Sequence, residues 1–154
     1  RRAGRRLVLP ARGSEAAPRW PIMSRVTERV PAIKVLLMPK DTNALGTIFG
    51  GVILSYIDLA SAVEARKHAR RTFVTKAMNA VEFVAPVHVG DIVNFYTTAT
   101  RFGRTSITVR VSVEAERWSA GHGEATPVTE AEVVLVAVDE DGRPCPIRDA
   151  DAPA

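Results

Sequence analysis

A chain of 154 residues with 46% hydrophobic and 25% charged residues has the composition of one globular domain. Its single cysteine, Cys145, excludes an intramolecular disulfide framework and favours a reducing compartment, so we expect a cytoplasmic protein. The sequence has no apolar run near the roughly 18 to 20 residues that span a bilayer, and it therefore predicts no membrane partner.

The positive charge is concentrated at the N-terminus. Residues 1–22 contain six arginines and one glutamate, a balance of +5, which leaves −1 of the formal net charge of +4 for the rest of the chain. We interpret residues 1–22 as a disordered upstream extension, with Met23 as the natural start; the alternative is a genuine basic arm. The remaining chain has no basic surplus, so nucleic-acid binding is not expected.

The first half of the folded part predicts one strand, one loop and one helix. Residues 32–38, AIKVLLM, are a short apolar run that stops before Pro39 and predicts a strand. Residues 40–51 contain Asp, Asn, Thr and three glycines, a composition typical of a loop. Residues 52–71 repeat apolar side chains at a period near 3.6 and end in basic residues, which predicts a helix. The apolar positions of this period are Val52, Ile53, Tyr56, Ile57, Ala60 and Val63.

The second half predicts four strands in series, at residues 72–87, 91–102, 105–118 and 129–142, with a loop at residues 119–128. The third strand alternates most clearly, and its apolar face consists of Ile107, Val109, Val111 and Val113. Short turns favour antiparallel pairing, so we expect an α+β fold in which about five antiparallel strands pack on one long helix. We assign the domain to residues 23–144 and a C-terminal tail to residues 145–154.

The start of the helix and Asp58 form the candidate site. Gly50 and Gly51 let a ligand approach the backbone, and the first amides of a helix have no acceptor within it. Such amides suit a negatively charged oxygen, for example a thioester oxyanion. Asp58 lies roughly 10 Å further along the helix, in an apolar run where a carboxylate needs a partner or a function. From the residues alone, Asp58 bonds Ser55 or Ser61, pairs with a basic residue of the sheet, or takes part in chemistry.

Other kinds of site have weaker support. The run DTNALG resembles the start of a calcium loop, but Leu45 and Val52 stand where oxygen ligands are required. The run GTIFGG lacks the GK[ST] of a nucleotide phosphate loop. Three histidines lack the spacing of metal ligands and are expected at the surface or in turns: His68, His88 and His122. We therefore expect no metal site.

Residues 36–69, LLMPKDTNALGTIFGGVILSYIDLASAVEARKHA, closely resemble the acyl-CoA thioesterases of the hotdog fold, in the branch of YciA and the cytosolic acyl-CoA hydrolases. The characteristic pattern is P-x-D-[TA]-N-x-x-G-x-[IV]-[FH]-G-G, followed by a helix with an acidic residue. Two later segments, FVAPVHVGDIV and FGRTSITVRVSVEAE, resemble the next two signatures of the family. The resemblance covers about residues 32–138. Thr47 departs from it, because relatives often have Asp or Asn there.

The resemblance implies a sheet wrapped around the central helix and subunits that pair their sheets edge to edge, with active sites at that interface. It implies that Asp58 is the base or nucleophile, that Asn43 of the other subunit works with it, and that the Gly51 N–H receives the thioester carbonyl. It also implies a homo-oligomer, dimeric at least and often a trimer of dimers.

The resemblance further implies that one turn holds the pantetheine and phosphate groups of coenzyme A. This turn consists of Gly103, Arg104, Thr105 and Ser106. Arg104 would contact a phosphate; the alternative is that it lies in a solvated turn.

The sequence thus predicts a thioesterase that hydrolyses acyl-CoA to a free fatty acid and coenzyme A, with no cofactor, since coenzyme A is part of the substrate. The alternative is a non-catalytic hotdog protein that binds acyl-CoA, and the presence of both Asn43 and Asp58 argues against it. A dehydratase or hydratase of this fold would need a histidine-based site, and the predicted helix has no histidine before its last turn.

Overall fold

The computed structural model describes residues 29–117 and 125–148. The interpretations of residues 1–22, of Met23 as the start and of His122 lie outside these ranges. A short 3₁₀ helix at Pro39–Asp41 precedes the long helix. The main elements are β1 (Ile33–Leu36), α1 (Gly50–His68), β2 (Thr72–Phe83), β3 (Ile92–Phe102), β4 (Ser106–Glu116) and β5 (Ala125–Val138).

All five strands belong to one antiparallel sheet with the order β1-β3-β4-β5-β2. The expected α+β fold, five strands with one long helix, is confirmed. Because α1 connects β1 to β2, it carries the chain from one edge of the sheet to the other. The strand order also makes β2 an edge strand, which no periodicity in the sequence could indicate.

The core lies between α1 and the central strands. One side chain in two is buried along β4 and along the second half of β5, as expected for a sheet covered on one face. All four predicted positions of β4 are buried, and they join Val93 and Phe95 of β3 and Val133, Leu135 and Ala137 of β5 in one cluster with the helix.

The buried face of α1 differs from the predicted one near its C-terminal end. Val63 is 40% exposed although it belongs to the apolar period, whereas Glu64 is only 8% exposed. The buried positions follow Ile53, Ile57 and Ala60, and this spacing of four and three residues leads to Glu64. The helix therefore buries a carboxylate that the sequence pattern did not single out.

The ends of α1 are shifted from the predicted range of 52–71. The helix begins at Gly50, so the two glycines form its first turn instead of the end of the loop. It ends at His68, because Ala69 has extended dihedral angles of φ −156° and ψ 143°. The basic residues Arg66, Lys67 and His68 occupy the last turn, where they complement the helix dipole.

The start of β5 was predicted wrongly. The loop was expected to extend through residue 128, but β5 begins at Ala125. Pro127 is a residue that normally interrupts strands. Here it lies beyond Thr129, where pairing with β2 ends, and next to a register shift in the pairing with β4. Strands tolerate proline at such edges and bulges.

The chain continues to pack against the domain after residue 144. The Cys145 amide donates to the Ala137 carbonyl at 2.9 Å, and Ile147 is buried in the core cluster. Cys145 and Ile147, beyond the predicted domain boundary, thus pack against the domain. Within the described ranges, no helix combines the length and the apolar character required to cross a bilayer.

Candidate active site

Asn43 lies in a closed loop that fixes the orientation of its side chain. Its Oδ1 accepts hydrogen bonds from the amides of Leu45 at 2.8 Å and Thr47 at 3.3 Å, and its Nδ2 donates to Thr47 Oγ1 at 2.9 Å. An amide group has two N–H donors, so one donor of Asn43 stays available. Thr47, the departure from the family pattern, thus positions Asn43 through its hydroxyl and its backbone.

The first amides of α1 are free donors. The N-cap residue Phe49 provides no side-chain cap, and the first turn contains no acidic residue. The Val52 amide bonds to the Phe49 carbonyl at 2.9 Å, whereas those of Gly50 and Gly51 have no acceptor among the described residues. Two free N–H groups at the positive end of a helix can bind a negatively charged oxygen.

The Phe49 ring lies against Gly51, so a larger side chain at this position would require that exposed ring to move. A Cβ atom added at Gly51 would come within 2.3 Å of Phe49 Cε1. An apolar cavity of about 330 Å³ lies beside Gly50. Its lining comes from Gly50, Ile48, Ile53 and the segment 83–87. The start of the helix thus borders a space that an acyl chain could enter.

Asp58 is half-buried on α1 and accepts a hydrogen bond from Thr75 Oγ1 of β2. The two serines considered as partners bond elsewhere: Ser55 Oγ donates to the Val52 carbonyl, and Ser61 Oγ donates to the backbone carbonyl of Asp58. No basic side chain of the described residues pairs with the Asp58 carboxylate. The carboxylate therefore keeps acceptor capacity for a ligand or a water molecule.

The turn at residues 103–106 is tight and attached to its neighbours. The Gly103 amide donates to the Ser106 carbonyl at 2.7 Å, and a Cβ atom at Gly103 would lie 2.7 Å from Ser106 Oγ. The Thr105 carbonyl accepts from the Ala137 amide at 2.8 Å. Arg104 is exposed beside a cavity of about 350 Å³. The turn offers a guanidinium group on a fixed backbone.

Comparison with known proteins places the chain in a family. The sequence profile of the thioesterase superfamily matches residues 45–117. The acyl-CoA thioester hydrolase YciA of Salmonella typhimurium is 38% identical over 116 residues, which cover 75% of this chain and 87% of the relative. This chain belongs to the hotdog-fold acyl-CoA thioesterases.

Solved structures agree with this thioesterase assignment. Cj0915, a hexameric hotdog fold thioesterase of Campylobacter jejuni, is 44% identical with a TM-score of 0.73, and the match covers 80% of this chain and 93% of that protein. An acyl-CoA hydrolase of Staphylococcus aureus, solved with butyryl coenzyme A and coenzyme A, is 28% identical with a TM-score of 0.68; the match covers 75% of this chain and 69% of that one. The predicted enzyme class and fold are confirmed.

The thioesterase chain brings only some of the predicted residues together. Gly51 and Asp58 lie on the same helix about 10 Å apart along its axis. The Asn43 side chain bonds within its own loop and forms no hydrogen bond with Asp58. The turn at residues 103–106 follows β3, at a third place in the fold. One chain therefore does not join Asn43 to Asp58, and their roles stay predictions.

Two residues near the site were missed in the sequence. Thr75 bonds Asp58 from another element, and a contact between a helix and a strand leaves no local pattern. Glu64 is a buried carboxylate whose oxygens lie 2.8 Å from Lys67 Nζ, 3.1 Å from His68 Nε2 and 2.9 Å from Thr97 Oγ1. Its spacing of seven residues from Ile57 was the signal that could have identified it.

Asp91, a second buried carboxylate of the thioesterase, is also hydrogen-bonded to groups of its own chain. The Arg117 guanidinium donates to both of its oxygens, at 3.1 and 3.0 Å, and the His88 amide donates at 2.9 Å. Burial raises the pKa of Asp91, but the Arg117 and His88 hydrogen bonds outweigh burial and hold it below its usual value. Among the described residues, no three His, Cys, Asp or Glu side chains are grouped to hold a metal.

Proposed function

We propose that this thioesterase hydrolyses acyl-CoA to a free fatty acid and coenzyme A in a site that two subunits share, with Asn43 from one subunit and Asp58 from the other. The observation that carries the proposal is the bond from Thr75 to Asp58. Because Thr75 belongs to the edge strand β2, the carboxylate lies beside an edge that a second chain can approach.

The β2 edge suits pairing with a second copy. It is 12 residues long, one side pairs with β5, and Val74, Thr75 and Lys76 are exposed. An unpaired β-prone edge of this length favours association with another strand. The Campylobacter relative is hexameric. We therefore propose a homo-oligomer, a dimer at least, assembled as a trimer of dimers.

The chemistry follows from the groups around the helix start. The thioester carbonyl oxygen would accept from the free Gly51 amide, which also stabilises the oxyanion as it forms. Asn43 would donate its remaining N–H to the substrate carbonyl or to the water molecule. The acyl chain would enter the apolar cavity beside Gly50, and the turn at residues 103–106 would hold the coenzyme A end.

Two routes are open to Asp58. As a base, it removes a proton from water while the water oxygen attacks the carbonyl carbon; the C–S bond then breaks and the proton passes to the departing thiolate. As a nucleophile, its own oxygen attacks that carbon, the thiolate leaves, and water hydrolyses the resulting mixed anhydride. Both routes give a fatty acid and coenzyme A, and neither needs a cofactor.

We also propose a cytoplasmic location, which the single cysteine supports.

Mixing two inactive variants tests the shared site. Asn43→Ala and Asp58→Ala chains should each lose thiol release from a series of short, medium and long acyl-CoAs. After co-refolding, a mixed dimer carries one site with both defects and one intact site, so part of the activity should return. Chains labelled with different tags report the amount of mixed dimer.

If mixed dimers form and activity stays at the background of the single variants, the model of a shared site is wrong. A fully active monomer in sedimentation would contradict it as well.

A further inference from the structure

The C-terminal segment, residues 139–148, folds back along β5. Its turn is closed by the Asp139 amide, which donates to the Arg143 carbonyl at 2.9 Å, and by Gly142 at φ +77°. Asp139 Oδ1 accepts from the amides of Asp141 at 3.0 Å and Arg143 at 2.8 Å. The direction in which the chain returns is thus fixed by the turn itself.

The returning chain reaches the turn between β3 and β4. Pro144 pairs with Val138, and the Ile147 amide donates to the Arg104 carbonyl at 2.9 Å. The Ile147 side chain is buried in the core cluster. The backbone hydrogen bond and the burial of the side chain fix the position of Ile147. The next residue, Arg148, is therefore held at the same turn as Arg104.

Arg104 and Arg148 line one cavity of about 350 Å³, with Phe102, Gly103, Pro146 and Ile147. Among the residues that the structure describes, this lining has two guanidinium groups and no carboxylate. Within residues 29–117 and 125–148, neither arginine forms an ion pair, whereas Arg110, Arg117 and Arg143 each contact a carboxylate. Two positive groups that share a cavity without a counter-charge favour an anion there.

The cavity also offers an aromatic surface. Phe102 is 50% exposed, and its ring is packed edge-on by His68 with ring centroids 5.0 Å apart. A half-exposed ring next to cationic groups is a surface on which a nucleobase can stack. Phosphate beside a base is the chemistry of a nucleotide.

We propose that Arg148, from the C-terminal segment, joins Arg104 in binding the phosphorylated adenosine end of coenzyme A, with Phe102 against the adenine. The inference rests on the proposed function, because it assigns a part of the same substrate. Guanidinium groups bind phosphate oxygens through two parallel N–H donors. Arg148 lies outside residues 45–117, so the match to the family profile does not include it.

Kinetics with two substrates tests this assignment. The wild-type enzyme and Arg148→Gln are compared on an acyl-CoA and on the acyl-pantetheine with the same acyl group, which lacks the phosphorylated adenosine. Loss of one charge-assisted contact should raise KM for the acyl-CoA about tenfold. The kcat values and the KM for acyl-pantetheine should stay within about twofold of the wild type. Arg143→Gln is the matched control, since it removes an exposed arginine from the same segment and should change neither KM.

Two kinetic results would overturn the assignment. One is an unchanged KM for acyl-CoA in Arg148→Gln; the other is an equal rise for both substrates, which would indicate a general structural role.

Titration with adenosine 3′,5′-bisphosphate separates this inference from the proposed function. If the wild type hydrolyses no thioester, the proposed function fails, and the titration still decides the role of Arg148. Binding to the wild type that weakens about tenfold in Arg148→Gln supports the site. Equal affinity in both, or no binding to the wild type, overturns it.

Discussion

Two carboxylates on α1 lie in opposite environments. Asp58 is half-buried and, among the described residues, has one side-chain partner, the hydroxyl of Thr75 on the edge strand. Glu64, less than two turns further along, is buried and accepts from Lys67, His68 and Thr97. The same helix thus presents one carboxylate to a free edge and encloses the other in the domain.

The difference separates a carboxylate available for chemistry from one that has a structural role. Both oxygens of Glu64 accept hydrogen bonds, whereas Asp58 Oδ2 accepts none from the described residues. A carboxylate has about four acceptor positions, so Asp58 can bind a water molecule or substrate without losing Thr75. Glu64 would have to break bonds in its cluster to do the same. Both burial and the number of hydrogen-bond partners therefore distinguish the two acids.

The largest loss of activity is expected from removing the Asp58 charge. We expect Asp58→Asn to reduce kcat by about 10²–10⁴, because a base or nucleophile contributes at least that much. The thermal melting temperature should be unchanged or slightly higher, because the site is left without a charged group. Thiol release and circular dichroism measure the two quantities. A kcat within about tenfold of the parent enzyme would remove Asp58 from the mechanism.

Glu64→Gln is the matched control on the same helix. It keeps the size of the side chain and removes the charge that holds Lys67 and His68. We expect kcat per folded molecule to stay within about twofold of the wild type, and the free energy of unfolding to fall by about 1–3 kcal/mol. If Glu64→Gln lowered kcat as much as Asp58→Asn, the assignment of a catalytic role to Asp58 and a structural role to Glu64 would be wrong.

The sequence predicted the fold well where the pattern is local. Alternation identified the buried face of β4, and the 3.6 period located α1 to within three residues at each end. The sequence could not give the order of strands, because β2 pairs with β5 across more than 40 residues of chain. Pro127 was misleading because its effect depends on where the neighbouring strand ends.

The candidate site was predictable only in part for the same reason. The loop of Asn43, the glycines at the helix start and Asp58 are contiguous in sequence, and their motif identified them. Thr75 is 17 positions from Asp58 and reaches it only after β2 docks on the helix. Glu64 was overlooked because it stands among charged residues that suggest a solvated helix end, although its spacing from Ile57 and Ala60 places it on the buried face.

Acid should reveal how much the enclosed Glu64 carboxylate contributes to stability. Burial raises the pKa of Glu64, but hydrogen bonds from Lys67, His68 and Thr97 outweigh burial and hold it below the usual 4.5. A carboxyl group whose pKa is lower in the folded state than in the unfolded state stabilises the protein at a pH above its unfolded-state pKa. This stability is lost as the pH falls through the folded-state pKa. We therefore expect the free energy of unfolding to decline below about pH 4.5.

Glu64→Gln isolates this contribution. Asp91 has a depressed pKa as well, so the wild type and Glu64→Gln should both lose stability in acid, but the variant should lose less. Denaturant titrations at pH 7 and at pH 4 or below give the two differences. Equal losses in the two proteins would show that Glu64 does not contribute to the acid sensitivity.

The smallest expected effect concerns the two threonines that bond these carboxylates. Thr75→Val and Thr97→Val each remove one hydroxyl donor and keep a β-branched side chain of similar shape, so the strands should be preserved.

Thr75 positions Asp58 without contacting the reacting atoms, and we expect Thr75→Val to lower kcat about three- to tenfold with little change in KM or melting temperature. That range corresponds to about 1 kcal/mol, a typical value for one hydrogen bond. Thr97→Val should do the opposite, with an unchanged kcat and a destabilisation of about 1 kcal/mol, because it removes one of the three hydrogen bonds to the buried Glu64 carboxylate. Thiol-release kinetics and thermal melting on both variants provide the readouts. If Thr75→Val affected only stability, or if both variants lowered kcat equally, the hydroxyl of Thr75 would have no role in positioning the Asp58 carboxylate.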